Sequence, residues 1–175
     1  MKLQHLKKLN QANVYEIYSG IEDSESCYVG FIKETYDEFI MIDSYDHEGR
    51  FHGYRLIANE QIFKIQSDSK YLAKYNELEP APSPPPQLTN KNNHMDMVEF
   101  LMSSQKNHQL TELTLEWGED INGSIESVAD NLVIINALSA EDFQADGQCF
   151  IELDSINEAA IQTKTLNFIT TKNRK

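Results

Sequence analysis

Hydrophobic and polar positions alternate along several short segments of this chain. Leu113, Leu115 and Trp117 alternate with Thr114 and Glu116, which is the pattern of a half-buried β-strand. Continuous apolar runs of strand length cover residues 39–42 and 132–135, and turn-forming residues precede both runs. These segments predict a mainly β protein. Because strands of five or six residues at this spacing leave exposed edges in an open sheet, we expect small closed barrels.

Two segments have helical rather than strand periodicity. Leu3, Leu6 and Leu9 recur every three residues near the start of the chain. Later, Val98, Leu101 and Met102 follow the i, i+3, i+4 spacing, and Asn93 is a candidate N-cap for that helix. We therefore expect a short α-helix before each barrel. The methionine-rich face of the second helix fits packing on its own barrel, with contact to a partner as the alternative.

All five prolines lie between Pro80 and Pro86. Proline fixes φ and has no backbone donor, so this stretch predicts an extended spacer rather than a strand or a helix interior. The chain divides accordingly into a first barrel with its helix over residues 1–78, a linker over 79–90, and a second barrel with its helix over 91–175. A proline-rich ligand for SH3 or WW domains is the alternative interpretation of the linker.

The two sides of the linker share a pattern. Gly30 and Gly123 lie 93 residues apart, and each is followed by an isoleucine, an aspartate and an apolar run at matching positions. After one extra residue in the second copy, Gly53 matches Gly147 and Ile62 matches Ile156. Ordered matches of this kind indicate an internal duplication.

This repeated motif, a strand, a turn, Gly-x-Ile, an aspartate and an apolar strand, resembles the first Sm motif of the Sm-like family, especially its Hfq-type members. The resemblance covers residues 13–75 and 109–169 and implies two tandem five-stranded barrels of Sm-like or SH3-like type. It also implies pairing of the fourth and fifth strands with neighbouring subunits in rings that hold RNA. The basic pair that holds uridine in the family corresponds here to residues 59–60 and 153–154, which contain Glu60 and Asp154. Because carboxylates repel phosphate, the RNA site is not carried over.

The charge balance also argues against RNA binding. The 175 residues carry 15 basic and 28 acidic side chains, so the net charge is −13. Residues 107–163 contain twelve acids and no lysine or arginine. Binding of nucleic acid by general phosphate attraction needs basic residues, so RNA binding by the second barrel is disfavoured. The mean hydropathy of −0.52 and the absence of a long apolar run favour a cytoplasmic protein without a membrane span.

The sequence offers little for catalysis. It contains no nucleophile elbow, P-loop or dinucleotide-binding motif, and Cys27 and Cys149 have no redox or metal spacing. The segment from Asp43 to Gly53 gathers three carboxylates and two histidines, but its spacing does not fit a calcium loop, so we expect a solvated loop. We therefore predict no enzyme activity, no metal and no cofactor.

Aromatic residues supply the candidate binding surface. All eight tyrosines lie in the first half, and tyrosine is common at protein interfaces. Core packing of these aromatics is the main interpretation, a partner-binding face is the second, and stacking platforms for single-stranded nucleic acid are the third. The candidate partner-binding residues are Tyr45, Phe51, Tyr54, Arg55 and Trp117.

These observations predict a non-enzymatic binding or scaffolding protein whose partner is a protein rather than RNA. Pairing of barrel edge strands makes a homo-oligomer a further expectation. One alternative is an Sm-like RNA-associated protein that contacts single-stranded RNA through the first barrel only. Another is an acidic mimic of nucleic acid that occupies a basic partner.

Overall fold

The computed structural model describes residues 1–20, 26–75, 78, 81, 86 and 95–172. Within them it has three α-helices, α1 Leu3–Leu6, α2 Met95–Lys106 and α3 Lys164–Lys172. The first five strands are β1 Val14–Ser19, β2 Tyr28–Thr35, β3 Phe39–Tyr45, β4 Phe51–Ala58 and β5 Ile62–Gln66. The other five are β6 Leu110–Leu115, β7 Asp120–Ala129, β8 Leu132–Leu138, β9 Ala145–Glu152 and β10 Ile156–Ile161. Two short 3-10 turns cover Leu72–Lys74 and Leu153–Ser155.

The ten strands form one antiparallel sheet in the order β5-β1-β2-β3-β4-β10-β6-β7-β8-β9. The fold is therefore mainly β, as the alternation predicts. The described strands do not close into two separate barrels, however, because the sheet ends at β5 and β9. The physical reason is that β4 uses its free edge to pair with β10, so both halves of the chain belong to a single open sheet.

The strand order of β1–β5, the N-terminal strand set, recurs in β6–β10, the C-terminal strand set. The registers recur as well. Ile32 pairs with Ile42 and Ile125 pairs with Ile135, and in each set the register shifts immediately after that pair. Such bulges bend a strand and increase its twist. Both sets are therefore bent at the same place.

Gly30 and Gly123 occupy matching positions on the bent strands β2 and β7. A Cβ atom at Gly30 would lie 1.8 Å from the Asp43 backbone oxygen, and one at Gly123 would lie 2.2 Å from the Asn136 oxygen. No side chain fits such an approach, which explains why the sequence keeps a glycine at both places.

The core also extends across both strand sets. One apolar cluster brings Tyr54 and Leu56 of β4 together with Leu113 of β6 and Ala159 of β10. Helix α2 covers this cluster with Met97, Phe100 and Leu101. A second cluster lies inside the N-terminal strand set, where Leu6 of α1 packs against Ile17, Ile32 and Ile57.

The helices, the Asp43–Gly53 segment and the spacer can be compared with the predictions from the sequence. Helices α1 and α2 precede the two strand sets as predicted, whereas α3 has no counterpart among the predicted elements. The segment Asp43–Gly53 is not one loop, because β3 extends to Tyr45 and β4 starts at Phe51. Most of the predicted spacer, residues 79–90, lies outside the described residues, as does Asn93. In the part of the chain that the structure describes, no helix combines the length and apolarity needed to cross a membrane.

Candidate interaction interface

The junction between the strand sets is the antiparallel pair of β4 and β10. Tyr54 lies opposite Ile161, Arg55 opposite Ala160, Leu56 opposite Ala159, and Ile57 opposite Glu158. The alanines at 159 and 160 are almost fully buried. This junction is an example, within one chain, of how the free edge of one strand set accepts a strand from the other.

A buried ionic cluster spans the junction. Arg55, only 5% exposed, directs Nη1 to the Glu158 carboxylate of β10 and to Glu112 Oε1 of β6 at 3.2 Å. The Arg55 guanidinium carbon lies 4.5 Å from the centre of the Tyr28 ring. Arginine suits such a site because its planar group can stack on a ring while it bonds carboxylates. We call these four residues the Arg55 cluster.

The cluster holds the Arg55 guanidinium in its charged form. Burial lowers the pKa of Arg55, but Glu158, Tyr28 and Glu112 outweigh that effect and raise it. Burial raises the pKa of Glu158, and the Arg55 guanidinium opposes the rise. Burial also raises the pKa of Tyr28, with Glu158 acting in the same direction. Removing Arg55 would leave the buried Glu158 carboxylate without its cation, which is costly.

Helix α3 is attached to the same junction. Thr163 precedes α3, and its hydroxyl accepts a hydrogen bond from the Leu166 amide at 3.3 Å. The Lys164 amide donates to His52 Nδ1 on β4 at 3.1 Å, and the Lys164 ammonium pairs with Asp46. Burial lowers the pKa of His52 to about 4, so this ring stays neutral and can accept the bond at neutral pH.

Two clefts flank the junction. The larger, of about 670 Å³, is lined by the carboxylate residues Asp37, Glu38, Glu60 and Asp154, and none of the described residues that line it is a lysine or arginine. The smaller, of about 330 Å³, is lined by Tyr28, Trp117 and Glu158 among others. An acidic lining of this kind repels phosphate groups. The clefts therefore give no support to an RNA site at the junction.

The two ends of the sheet expose large apolar side chains. Phe63 on β5 is 49% exposed and Phe150 on β9 is 64% exposed. Phe150 lies opposite Ile134 on β8, as Leu56 lies opposite Met41 on β3, so the two residues hold matching positions. Leu56 is fully buried because β10 and its neighbours cover it. The exposure of Phe150 thus reflects the position of β9 at the end of the sheet, where the part of the chain that the structure describes places no further strand.

The structure separates the five predicted binding residues into three places. Tyr45, Phe51 and Tyr54 form a chain of edge-to-face contacts, with ring centres 6.2 and 5.0 Å apart. Tyr45 and Tyr54 are buried, Phe51 is partly buried, and Arg55 belongs to the ionic cluster. Trp117 is 60% exposed and donates from Nε1 to Glu119 at 2.8 Å. It lies in the turn after β6 rather than on the predicted strand, because β6 ends at Leu115.

Sequence reasoning missed the partners of Arg55. Tyr28, Glu112 and Glu158 come from three different strands, and the structure brings them together only because β10 lies beside β4. One signal was present. Glu158 is the one charged residue between Ile156 and Ile161, a segment that is apolar apart from Asn157, and buried acids of this kind are normally paired.

Among the described residues, no group of three histidine, cysteine, aspartate or glutamate side chains is arranged to hold a metal ion. Cys27 and Cys149 are both free and partly buried.

Comparison of the chain with protein-family models, curated proteins and solved structures gives no match.

Proposed function

We propose that this protein is a non-enzymatic assembly module whose two strand sets are bent, five-stranded units of the Sm-like or SH3-like type, joined edge to edge in one open sheet. The observation that carries the proposal is the β4–β10 junction, in which one strand set already accepts a strand from the other. The repeated bulges and the matching glycines support two similar, strongly bent units. The domain limits that go with this proposal are 1–78 and 91–175, with the linker between them.

The two ends of the sheet are the proposed interaction surfaces. Among the described strands, β5 at one end and β9 at the other each have one edge without a neighbouring strand. The internal junction joins a fourth strand to a fifth strand, and β9 and β5 are the fourth and fifth strands of their sets. A second copy of this chain can therefore add to the first by repeating the same type of pairing. Such a contact is head to tail and produces either a ring or a filament.

Protein partners fit this chain better than RNA. Arg55 is held by two carboxylates at the junction, and the exposed Arg50 forms an ion pair with Glu48. The larger cleft is lined by four carboxylate residues. Neither arginine is therefore available to bind phosphate without breaking an ion pair, which weakens the term that dominates nucleic-acid affinity at this junction.

Light scattering coupled to size-exclusion chromatography tests the proposal. We expect a mass that is a multiple of the 20.1 kDa chain. Phe150→Glu places a charge on the open β9 edge and should shift the protein to the monomer. Phe168→Glu is the matched control, because Phe168 is 58% exposed but lies on α3. A wild-type mass of one chain at every concentration up to several hundred micromolar would contradict the proposal.

A second measurement separates protein assembly from RNA binding. Fluorescence anisotropy with labelled single-stranded RNA at low salt should show no binding by the assembled wild-type protein. Salt-dependent binding that is lost in Arg50→Glu would instead support the RNA-associated alternative through the first barrel.

A further inference from the structure

Matched positions on the inner junction and on the open edges carry different charges. Arg55 on β4 lies opposite Ile42 of β3, and Cys149 on β9 lies opposite Ile135 of β8. Because the registers of the two strand sets repeat, Cys149 holds on β9 the place that Arg55 holds on β4. The open edge of β9 therefore presents a thiol where the inner junction has a cation.

The fifth strands, β10 and β5, also carry different charges at matching positions. Glu158 on β10 lies opposite Thr114 of β6, and Lys64 on β5 lies opposite Tyr18 of β1. Lys64 thus holds on β5 the place of Glu158. The neighbouring acid is present in both sets, since Glu112 lies opposite Ala160 and Glu16 lies opposite Gln66.

At the β5 end, these charges already have partners within the N-terminal strand set. The Lys64 ammonium lies 4.0 Å from the centre of the Tyr18 ring. The Tyr18 hydroxyl donates to Glu16 Oε2 at 2.5 Å, and the Ser69 hydroxyl donates to Oε1 of the same carboxylate. A strand arriving at β5 does not need to bring a cation, and a cysteine side chain at the matching position is sufficient.

Pairing β4 with β5, or β9 with β10, would bury charges that have no partner of opposite sign. If β4 paired with β5 of another copy, the Arg55 guanidinium would face the Lys64 ammonium. If β9 paired with β10 of another copy, Glu158 and Glu112 would be buried against a thiol with no cation. Buried charges without a partner are strongly destabilising, and unfavourable contacts of this kind are an effective source of specificity.

We infer that the Arg55 cluster selects which strands pair: it commits β4 to β10 and leaves β9 to pair with β5 of a second copy of this chain. The inference rests on the proposed function, since it specifies how the proposed assembly is ordered. Repeating the inner register at the outer contact places Ile151 opposite Lys64, Phe150 opposite Ile65, and Cys149 opposite Gln66. Phe150 then becomes buried, as Leu56 is at the inner junction.

A charge-exchange cycle on the full chain tests the selection. Cys149→Arg puts a second cation beside Lys64 of the next copy, and Lys64→Glu puts a second carboxylate beside Glu16. Each single variant should raise the protein concentration at which half of the chains are assembled by at least about tenfold, as read from the dependence of the mass on concentration. The double variant Lys64→Glu with Cys149→Arg rebuilds the pair found at the inner junction and should restore assembly. Cys149→Ser is the neutral control and should assemble like the wild type.

The result also separates the inference from the proposed function. Singles that assemble like the wild type, or a double variant no better than the singles, would overturn the selection while the assembly itself stands. A wild-type protein that is monomeric at every concentration would overturn both. Circular dichroism of each variant confirms that a loss of assembly is not a loss of folding.

Disulfide trapping tests the register independently of charge. In a Cys27→Ser background, Gln66→Cys should form an intermolecular disulfide with the native Cys149 under mild oxidation. Ser67→Cys in the same background is the control, because the inferred register places it opposite Gln148. Equal trapping of both, or no trapping of Gln66→Cys in protein that assembles, would overturn the inferred register.

Discussion

The inner junction and the open edges of this sheet have the same backbone geometry but different surroundings. Leu56 at the junction is fully buried, whereas Phe150 at the matching place on β9 is 64% exposed. A Cβ atom at Gly53 would lie 2.4 Å from the Ile161 oxygen, whereas one at Gly147 would meet nothing within 4 Å. The comparison shows that the environment of a position on a fourth strand depends on whether a fifth strand lies beside it.

The largest expected effect concerns the Arg55 cluster. Arg55→Met removes the cation and leaves Glu158 buried beside Glu112, so we expect a loss of about 3–5 kcal/mol in the free energy of unfolding. Cys149→Met, at the matching position on β9, should change it by less than about 1 kcal/mol. Urea denaturation followed by circular dichroism measures both.

A second variant distinguishes the lost ion pair from lost packing. Arg55→Met combined with Glu158→Met removes both charges of the pair and should recover a substantial part of the stability. If Arg55→Met alone were as stable as the wild type, the cluster would not hold the junction together.

Truncation of the matched apolar side chains should give the next effect. Leu56→Ala opens a cavity in the core that the strand sets share, and we expect a loss of about 3 kcal/mol. Phe150→Ala removes a ring that is exposed in the monomer. At protein concentrations too low for assembly, it should lower the free energy of unfolding by less than about 0.5 kcal/mol. Similar losses at both positions would show that the two environments do not differ as described.

The matched glycines should give a smaller difference. Gly53 has φ of 98° and Gly147 has φ of 85°, a region that costs other residues roughly 1–2 kcal/mol. Gly147→Ala carries only that cost, whereas Gly53→Ala also forces the β4 backbone away from Ile161. We expect a loss of about 1 kcal/mol for the first and at least about 2 kcal/mol for the second. Equal thermal unfolding midpoints for the two variants would contradict the close approach.

The smallest effect is the pH dependence that His52 contributes at the inner junction. The His52 pKa of about 4 lies below the ordinary value of 6.5. Between these values the unfolded chain binds a proton that the folded chain does not bind, so stability falls as the pH is lowered from 6.5 towards 4. His52→Gln should reduce the loss between pH 7 and pH 5 by on the order of 1 kcal/mol.

The control for this pH experiment is His47, in the turn that joins β3 to β4. His47→Gln should keep the wild-type dependence, because the His47 side chain is 75% exposed. Urea midpoints across the pH range measure all three proteins. A His52→Gln protein with the full wild-type dependence would show that other groups cause it.

Local patterns in the sequence were sufficient for much of the fold. Alternation around Leu113 indicated a strand that the structure contains as β6, and the apolar runs at 39–42 and 132–135 lie in β3 and β8. The matched glycines at 30 and 123 mark close backbone contacts in both strand sets. These features are local, because burial on one face and steric fit act within a few residues.

The remaining features depend on which strands meet. Nothing near Arg55 in the sequence indicates that its carboxylate partner is Glu158, because strand pairing over such separations is decided by tertiary contacts. For the same reason the sequence did not reveal that the sheet stays open, because it gives no sign that β4 pairs with β10 rather than with β5. Helix α3 was missed because its buried side chains, Leu166 and Ile169, are few and its start depends on a bond to His52.

The β4–β10 junction also has a consequence for how the protein is made. Arg55 and Glu158 are 103 positions apart in the chain. Contacts of such long sequence separation form slowly, because a large loop must close before they stabilise anything. On the ribosome, the edge of β4 therefore stays open until the last strand has been synthesised. During that interval the growing chain exposes a strand edge that can pair with other chains, and we expect newly made protein to depend on protection from aggregation at this stage.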